Sequence, residues 1–241
     1  MIIGINGKIG SGKDTVGSII QYLTSESGDP NSSRHRSYAE FLSKGGGYAP
    51  RNFDHHYVSD WEIKKFAGKL KQIASLLTGI PVNKFEDQEF KKTNLSDEWS
   101  YLQQSGRSKV WIPMTVREFL QKLGTEAMRE GLHTNVWVNA LFADYKTIIY
   151  REETKIWETP ISKWIITDMR FPNEMEAVVA RGGITIRVVR PDMNSLQAMV
   201  PAHASETALD GNIMHYEIIN DGTIEDLVEK VREILIERNI I

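Results

Sequence analysis

The 241-residue sequence contains no cysteine, which excludes disulfides, thiolate nucleophiles and cysteine-ligated zinc or iron–sulfur centres. It also lacks any apolar run approaching the roughly 20 residues that a membrane-spanning helix needs. The first residues carry no charged, apolar and cleavable regions of a secretory signal. A cytoplasmic chain without a membrane partner is therefore expected. Charge of one sign is missing too: 29 Lys and Arg stand against 32 Asp and Glu, for a formal net charge of −3 and a pI near 6.1. Such a chain has no global attraction to a nucleic-acid polymer, so any phosphate chemistry must rest on a local group of cations, and the expected partner is a small molecule. With 41% hydrophobic residues, one domain over residues 1–241 with a full core is expected.

Met1 to Ile5 is a short apolar run closed by Asn6-Gly7, and Val16, Ile19, Ile20 and Leu23 then recur at helical spacing; this reads as strand, glycine loop and helix. Between about 24 and 57 the chain is polar and poor in aliphatic residues, which predicts an insertion unable to offset its ordering entropy by burial. His35, His55 and His56 in that stretch have no third ligand at fixed spacing, so no metal is expected there. A strand near Ile63–Phe66 and a helix through Leu70, Ile73, Ala74 and Leu77 follow, then a charged irregular stretch from Phe85 to Trp111. Helices are expected from about Thr115 and from Val136 to Tyr150, with strands at Trp164–Thr167, Ile184–Val189 and Glu217–Ile219. A last helix from Ile224 is capped by Thr223. Alternating strands and helices predict an α/β fold with a mainly parallel sheet.

The segment Gly7-Lys8-Ile9-Gly10-Ser11-Gly12-Lys13 fits G-x-x-x-x-G-K and sits between strand and helix, where its mechanism requires it. Glycines let successive N–H groups turn toward an anion, the helix N-terminus adds its positive end, and Lys13 can bridge β- and γ-phosphates. Gly10, Ser11, Gly12, Lys13, Asp14 and Thr15 are thus the expected triphosphate-binding residues. Where Ser or Thr usually holds Mg²⁺ the chain has Asp14, with a hydroxyl one place later at Thr15. Asp14 and Thr15 are the candidate metal residues, and the division of labour between them stays open.

Two further clusters stand out. The helix from Thr115 carries Arg117, Gln121, Gly124 and Thr125 at i, i+4, i+7 and i+8, a polar stripe suited to binding or to plain solvation. The strand after Trp164 runs into Asp168-Met169-Arg170-Phe171-Pro172-Asn173-Glu174, which puts charges at the carboxyl end of a strand, where parallel sheets bind ligands.

These segments together resemble the phage deoxynucleoside monophosphate kinase family. The resemblance rests on Gly10 to Thr15, on Phe66-Ala67-Gly68-Lys69-Leu70-Lys71, and on Val116-Arg117 with Leu123-Gly124-Thr125-Glu126. It continues through Trp137-Val138, Thr167-Asp168-Met169-Arg170 with Asn173-Glu174, Val189-Arg190-Pro191, His203 with Ser205-Glu206, and Ile219-Asn220-Asp221-Gly222. It implies a P-loop NTPase-type three-layer α/β/α fold like that of nucleoside monophosphate kinases, with an acceptor or lid region at about 80–150. It also implies an enzyme that uses ATP and Mg²⁺ to phosphorylate a dNMP in the cytoplasm, the host's if the chain is phage-encoded, with a homodimer among the open oligomeric states. Carried over by position, Lys8, Leu70, Lys71, Gly124, Thr125, Trp137, Asp168, Arg170 and Glu174 become acceptor-site candidates beside Arg117 and Gln121. Lys13, Asp168 and Arg170 become the catalytic candidates. A P-loop kinase similar to dephospho-coenzyme A kinase, or a nucleotide-driven switch or ATPase, are the alternatives that share the donor loop.

Overall fold

A computed structural model describes residues 1–43, 59–106, 108–145, 149–151, 156–158, 162–191 and 207–241. The described residues fall into two compact units. Unit 1 comprises Met1–Lys65 with Tyr145–Ile241, and unit 2 comprises Phe66–Asp144.

In chain order, unit 1 begins with β1 (Ile2–Asn6), α1 (Lys13–Leu23), α2 (Tyr38–Ser43) and β2 (Trp61–Lys64). Unit 2 contains α3 (Ala67–Thr78), β3 (Tyr101–Ser105), β4 (Ser108–Ile112), α4 (Val116–Gln121) with a π-helical continuation over Lys122–Glu130, and α5 (Val136–Phe142). Unit 1 resumes with the short pair β5 (Ile149–Arg151) and β6 (Ile156–Glu158), then β7 (Lys163–Ile166), α6 (Pro172–Val179), β8 (Ile184–Val189), β9 (Tyr216–Ile219) and α7 (Ile224–Glu237).

The sheet of unit 1 has the order β2-β7-β1-β8-β9, every neighbouring pair parallel. β1 lies at its centre and is apolar from end to end because a parallel strand is covered on both faces. Ile2, Ile3 and Ile5 are fully buried. Ile3, Ile5, Ile165, Ile186, Val188 and Ile218 form one core with the apolar stripes of α1 and α7. Residues alternate across a strand, so Gly4 faces the other way, and a Cβ there would meet Met169 Sδ at 3.0 Å and Val178 of α6 at 3.3 Å. The sheet is therefore sandwiched between α1 with α7 and α6, the three-layer arrangement expected. Gly17 lets α1 approach β7, since a Cβ would fall 2.6 Å from Thr167 Cγ2.

The core of unit 2 is separate: Ala74, Phe85, Leu95, Val116 and Phe119 pack together, with Trp99 edge-on to Phe119 at 4.8 Å. The charged stretch from Phe85 to Trp111 contains short 3₁₀ turns, which Phe85, Phe90, Leu95 and Trp99 anchor on that core, and the antiparallel β3–β4 hairpin.

Three expectations need correcting. The polar insertion is ordered over 24–43, because three aromatics supply what its aliphatics do not: Tyr22, Tyr38 and Phe41 have ring centroids 5.5 to 6.3 Å apart. Tyr22 Oη also donates to the carbonyl of Arg36 at 2.8 Å; residues 44–58 of the insertion, His55 and His56 included, lie outside the described residues. The helix from Val136 ends at Phe142, and Ile149–Arg151 is a strand. The helix from Thr115 changes to π-helical winding after Gln121, a rare geometry often found at functional sites.

Phe41 is 1% exposed and Leu42 is 48% exposed, so the two substitutions to alanine should differ sharply. Phe41→Ala is expected to cost about 3 to 5 kcal/mol in a denaturant titration, and Leu42→Ala about 0.5 kcal/mol or less. Equal, small effects would mean that the insertion is not part of the fold.

Candidate active site

All five strands of the main sheet run in one direction, so their carboxyl ends share one edge. The loops leaving β1, β2, β7 and β9 bring Gly7–Lys13, Lys65, Thr167–Arg170 and Asn220 to that edge, the place where open parallel sheets bind ligands.

The loop after β1 is a shaped anion cradle. Gly10 and Gly12 have φ of 79° and 101°, left-handed conformations that glycine adopts at little cost. A Cβ on Gly12 would also strike Asn220 Nδ2 at 2.6 Å. That amide donates to the carbonyl of Ser11 at 2.9 Å and ties the loop to the end of β9. Ser11 is 2% exposed and its hydroxyl has no hydrogen-bond partner. A buried orphan donor is costly, and it is the group that a phosphate oxygen in the cradle would satisfy. Lys13 Nζ donates back to the carbonyl of Lys8 at 2.9 Å, across the loop's mouth.

The charges beyond the loop are closely balanced. Asp14 Oδ1 accepts from Thr167 Oγ1 at 2.8 Å and pairs with Lys65 Nζ at 3.0 Å, leaving Oδ2 without a partner among the described residues. Burial pushes the Asp14 carboxyl up, but the Thr167 hydrogen bond and the Lys65 ammonium outweigh it and hold the group below its usual value. Burial depresses the Lys13 ammonium, and the Arg170 and Lys65 charges depress it further, against Asp14 and Asp168. Asp14, Asp168, Arg170 and Lys65 thus all act on Lys13. Thr15 is half-buried on the first turn of α1.

Magnesium fits this donor set in one way. Among the described residues no three His, Cys, Asp or Glu side chains converge on a metal position, so there is no all-protein cage. Mg²⁺ instead commonly uses one or two carboxylates together with water and substrate phosphates, and Asp14 beside the cradle has an oxygen for that purpose.

The remaining expected residues fall in different places. Lys8 is exposed and borders a cavity of about 330 Å³ with Ile9, Val189, Arg190, Asp210 and Glu217. Glu174 is 2% exposed, and its Oε2 accepts from the N–H groups of Arg170 at 2.7 Å and Phe171 at 3.1 Å, capping α6. Its carboxylate thus fixes the backbone that carries Arg170.

Within unit 2, Leu70, Gly124 and Trp137 come together: a Cβ on Gly124 would touch Leu70 at 3.0 Å, and Trp137 Nε1 donates to the Gly124 carbonyl at 2.9 Å. Trp137 is 4% exposed. Lys71 pairs with Glu86 at 2.5 Å. Arg117 and Gln121 are exposed, Arg117 donating weakly to Gln88 at 3.4 Å, and Thr125 is half-buried in the π-helical segment. The α-helical register that aligned Gln121 with Thr125 is not kept there. His203, Ser205 and Glu206 lie outside the described residues.

A family model described as deoxynucleotide monophosphate kinase matches residues 66–231. The chain belongs to that family. The match begins after the phosphate loop, so the loop's geometry and the family match are separate observations. The chain is 25% identical over 244 residues to the deoxynucleoside-5'-monophosphate kinase of Escherichia phage T5, covering 91% of this chain and 89% of that protein. It is 28% identical over 145 residues to the deoxynucleotide monophosphate kinase of Enterobacteria phage T4, and 27% identical over 142 residues to that of Escherichia phage RB69. Those matches cover 59% of this chain but only 48% and 47% of the two relatives. Family membership makes the chain a nucleotide kinase.

Lys65, Thr167 and Asn220 received no role from sequence, although each stands at or just past the carboxyl end of a strand. That position was the available signal.

Because its folded-state pKa is lowered, charged Lys13 opposes folding, and its contribution to stability improves as pH rises from that value toward 10.5. Lys13→Met should therefore melt no lower than the parent protein without nucleotide at neutral pH, yet lose the stabilisation that ATP gives. Asp14 has the opposite sign: its depressed pKa contributes stability above the unfolded value of about 3.9, lost as pH falls through the folded value. Melting curves with and without ATP, and across acid pH, read both. A Lys13→Met protein that keeps its ATP-induced shift contradicts the cradle assignment.

Proposed function

We propose that this chain transfers the γ-phosphoryl group of ATP to a deoxynucleoside monophosphate, giving the diphosphate and ADP. The observation that carries the donor half is the cradle with its orphaned Ser11 hydroxyl; family membership carries the acceptor half. Gly10 to Thr15 hold the triphosphate with inward N–H groups at the start of α1. Lys13 exchanges the Lys8 carbonyl for the β- and γ-phosphates. Mg²⁺, held by Asp14 with Thr15 close by, would supply charge neutralisation between the β- and γ-phosphates. The cavity beside Lys8 gives the donor's nucleoside part room next to the cradle.

Lys8, Leu70, Lys71, Arg117, Gln121, Gly124, Thr125, Trp137, Asp168, Arg170 and Glu174 are proposed for the acceptor. Their roles divide. Arg170 supplies a fork of N–H donors to a phosphate and neutralises charge as the phosphoryl group moves. Asp168 accepts a proton or hydrogen bond at the same strand end. Glu174 serves by fixing the Arg170 backbone, and Trp137 by fixing Gly124. No covalent intermediate is needed, because positioning and neutralisation suffice for phosphoryl transfer.

An ADP-release assay across all dNMPs and NMPs, with dephospho-coenzyme A included, tests the proposal. Release that depends on at least one dNMP is expected, whereas release indifferent to any acceptor would indicate an ATPase. Arg170→Ala should reduce dNMP-dependent turnover by about tenfold or more for each charged hydrogen bond lost, with Arg170→Lys intermediate and ATP binding retained. Equal damage to ATP and dNMP affinity would remove Arg170 from the acceptor site. For Asp14→Asn, the Mg²⁺ concentration at half-maximal rate should rise more than the ATP requirement; an unchanged Mg²⁺ titration would leave Asp14 as a helix-start residue only.

A further inference from the structure

Lys65 received no role above, yet the sheet delivers it to the phosphate cradle. It directly follows β2, whose Lys64 is in register with Ile166 of β7, and the Thr167 N–H donates to the Lys64 carbonyl at 3.3 Å. The chain after β2 is thereby fixed beside the Thr167–Asp168 turn. From there the Lys65 ammonium reaches Asp14 Oδ1 at 3.0 Å, the same oxygen that accepts from Thr167 at 2.8 Å. It is also near enough to Lys13 for the two like charges to influence each other.

We propose that Lys65 is a second phosphate-binding cation of the donor site, held on Asp14 without nucleotide and passed to the triphosphate once that occupies the cradle. The inference rests on the donor reading above and deepens it. An ammonium 3.0 Å from Asp14 Oδ1 and a divalent cation on the same carboxylate would repel one another. The repulsion would loosen the ammonium's hold on Oδ1. With a triphosphate in the cradle, the loosened ammonium would have an anion beside it and a flexible four-carbon stem with which to reach it. Asp14 in this account is an exchange post: it keeps Lys65 ordered near the cradle and shields Lys13 from a second unpaired charge. Thr167 keeps the carboxylate aimed throughout the exchange, because its hydroxyl can donate to Oδ1 in both states.

The alternative is that Lys65 only neutralises Asp14. A double-mutant cycle read by calorimetric ATP binding, with either EDTA or Mg²⁺ and no acceptor present, separates the two. In an Asp14→Asn background the ion pair between Lys65 and Asp14 is gone. If Lys65 binds phosphate, adding Lys65→Met there should still weaken ATP binding by about tenfold or more, the value of a charged hydrogen bond. Lys65→Arg should restore most of it. If Lys65 is a counter-ion alone, the double variant should bind ATP within about twofold of Asp14→Asn, less than any charged contact gives, and the proposal is overturned. Lys65→Gln, which keeps the stem and loses the charge, replaces Lys65→Met should the latter melt early, and the same two outcomes decide. Absence of dNMP-dependent turnover would refute the acceptor assignment and leave this test standing, whereas a parent protein unable to bind ATP would overturn the donor reading and Lys65 with it.

Discussion

A phosphate cradle works only if its N–H groups point inward, and that condition turns its carbonyls outward, where they need partners of their own. In this chain the hydrogen bond from Asn220 Nδ2 to the Ser11 carbonyl, 2.9 Å long, meets that need. It also joins residues 209 positions apart. Gly12, which caps α1, lies so close to the end of β9 that a Cβ there would strike Asn220 Nδ2 at 2.6 Å. The parallel order β2-β7-β1-β8-β9 is what places β9 there, and the sandwich of α1, α7 and α6 holds that order. The helix and strand cores serve the loop by fixing where strand ends fall.

The cost of this arrangement is electrostatic. Arg170 and Lys65 depress the Lys13 ammonium, and a net charge of −3 for the whole chain does nothing to relieve that local repulsion. Asp14 and Asp168 relieve it. The buried, unpartnered Ser11 hydroxyl adds a second unfavourable feature. Both are removed by the same event, the arrival of a polyphosphate, so the protein is preorganised for an anion at the expense of its ligand-free stability. This explains why a closely balanced ring of carboxylates and ammonium groups surrounds the cradle instead of an open basic patch: counter-ions keep the cations ordered until phosphate displaces them.

What was legible in the sequence follows from range. The cradle and Thr223 cap are local patterns, and the strand runs around Ile165 and Ile186 are long enough to read without tertiary knowledge. The order of residues 24–43 was hidden because three aromatics scattered among polar residues create one packed cluster only after the chain folds back on α1. The winding of Lys122–Glu130 was hidden for another reason: apolar residues three and four apart suit α and π turns alike over so short a span. Glu174 became an acceptor candidate through the family resemblance, and the backbone geometry at Arg170 adds that its carboxylate caps α6. Lys65 and Asn220 carry contacts across 51 and 209 positions, and no spacing rule connects such partners.

The split of the chain into two units gives these differences in legibility a functional sense. Every residue of the cradle and its counter-ion ring lies in unit 1, whose three-layer sheet could serve any nucleoside triphosphate. Leu70, Lys71, Gly124, Thr125 and Trp137 lie in unit 2, and the family match from 66 to 231 contains all of unit 2 while omitting the phosphate loop. The match also takes in Thr167–Arg170 and Asn220 of unit 1. The residues proposed for the acceptor in unit 2 are held by packing: the Trp137 indole on the Gly124 carbonyl, Leu70 close against Gly124, and Lys71 on Glu86. An acceptor site built on such contacts would select by shape, since a side chain at Gly124 would press on Leu70 before any nucleotide was touched.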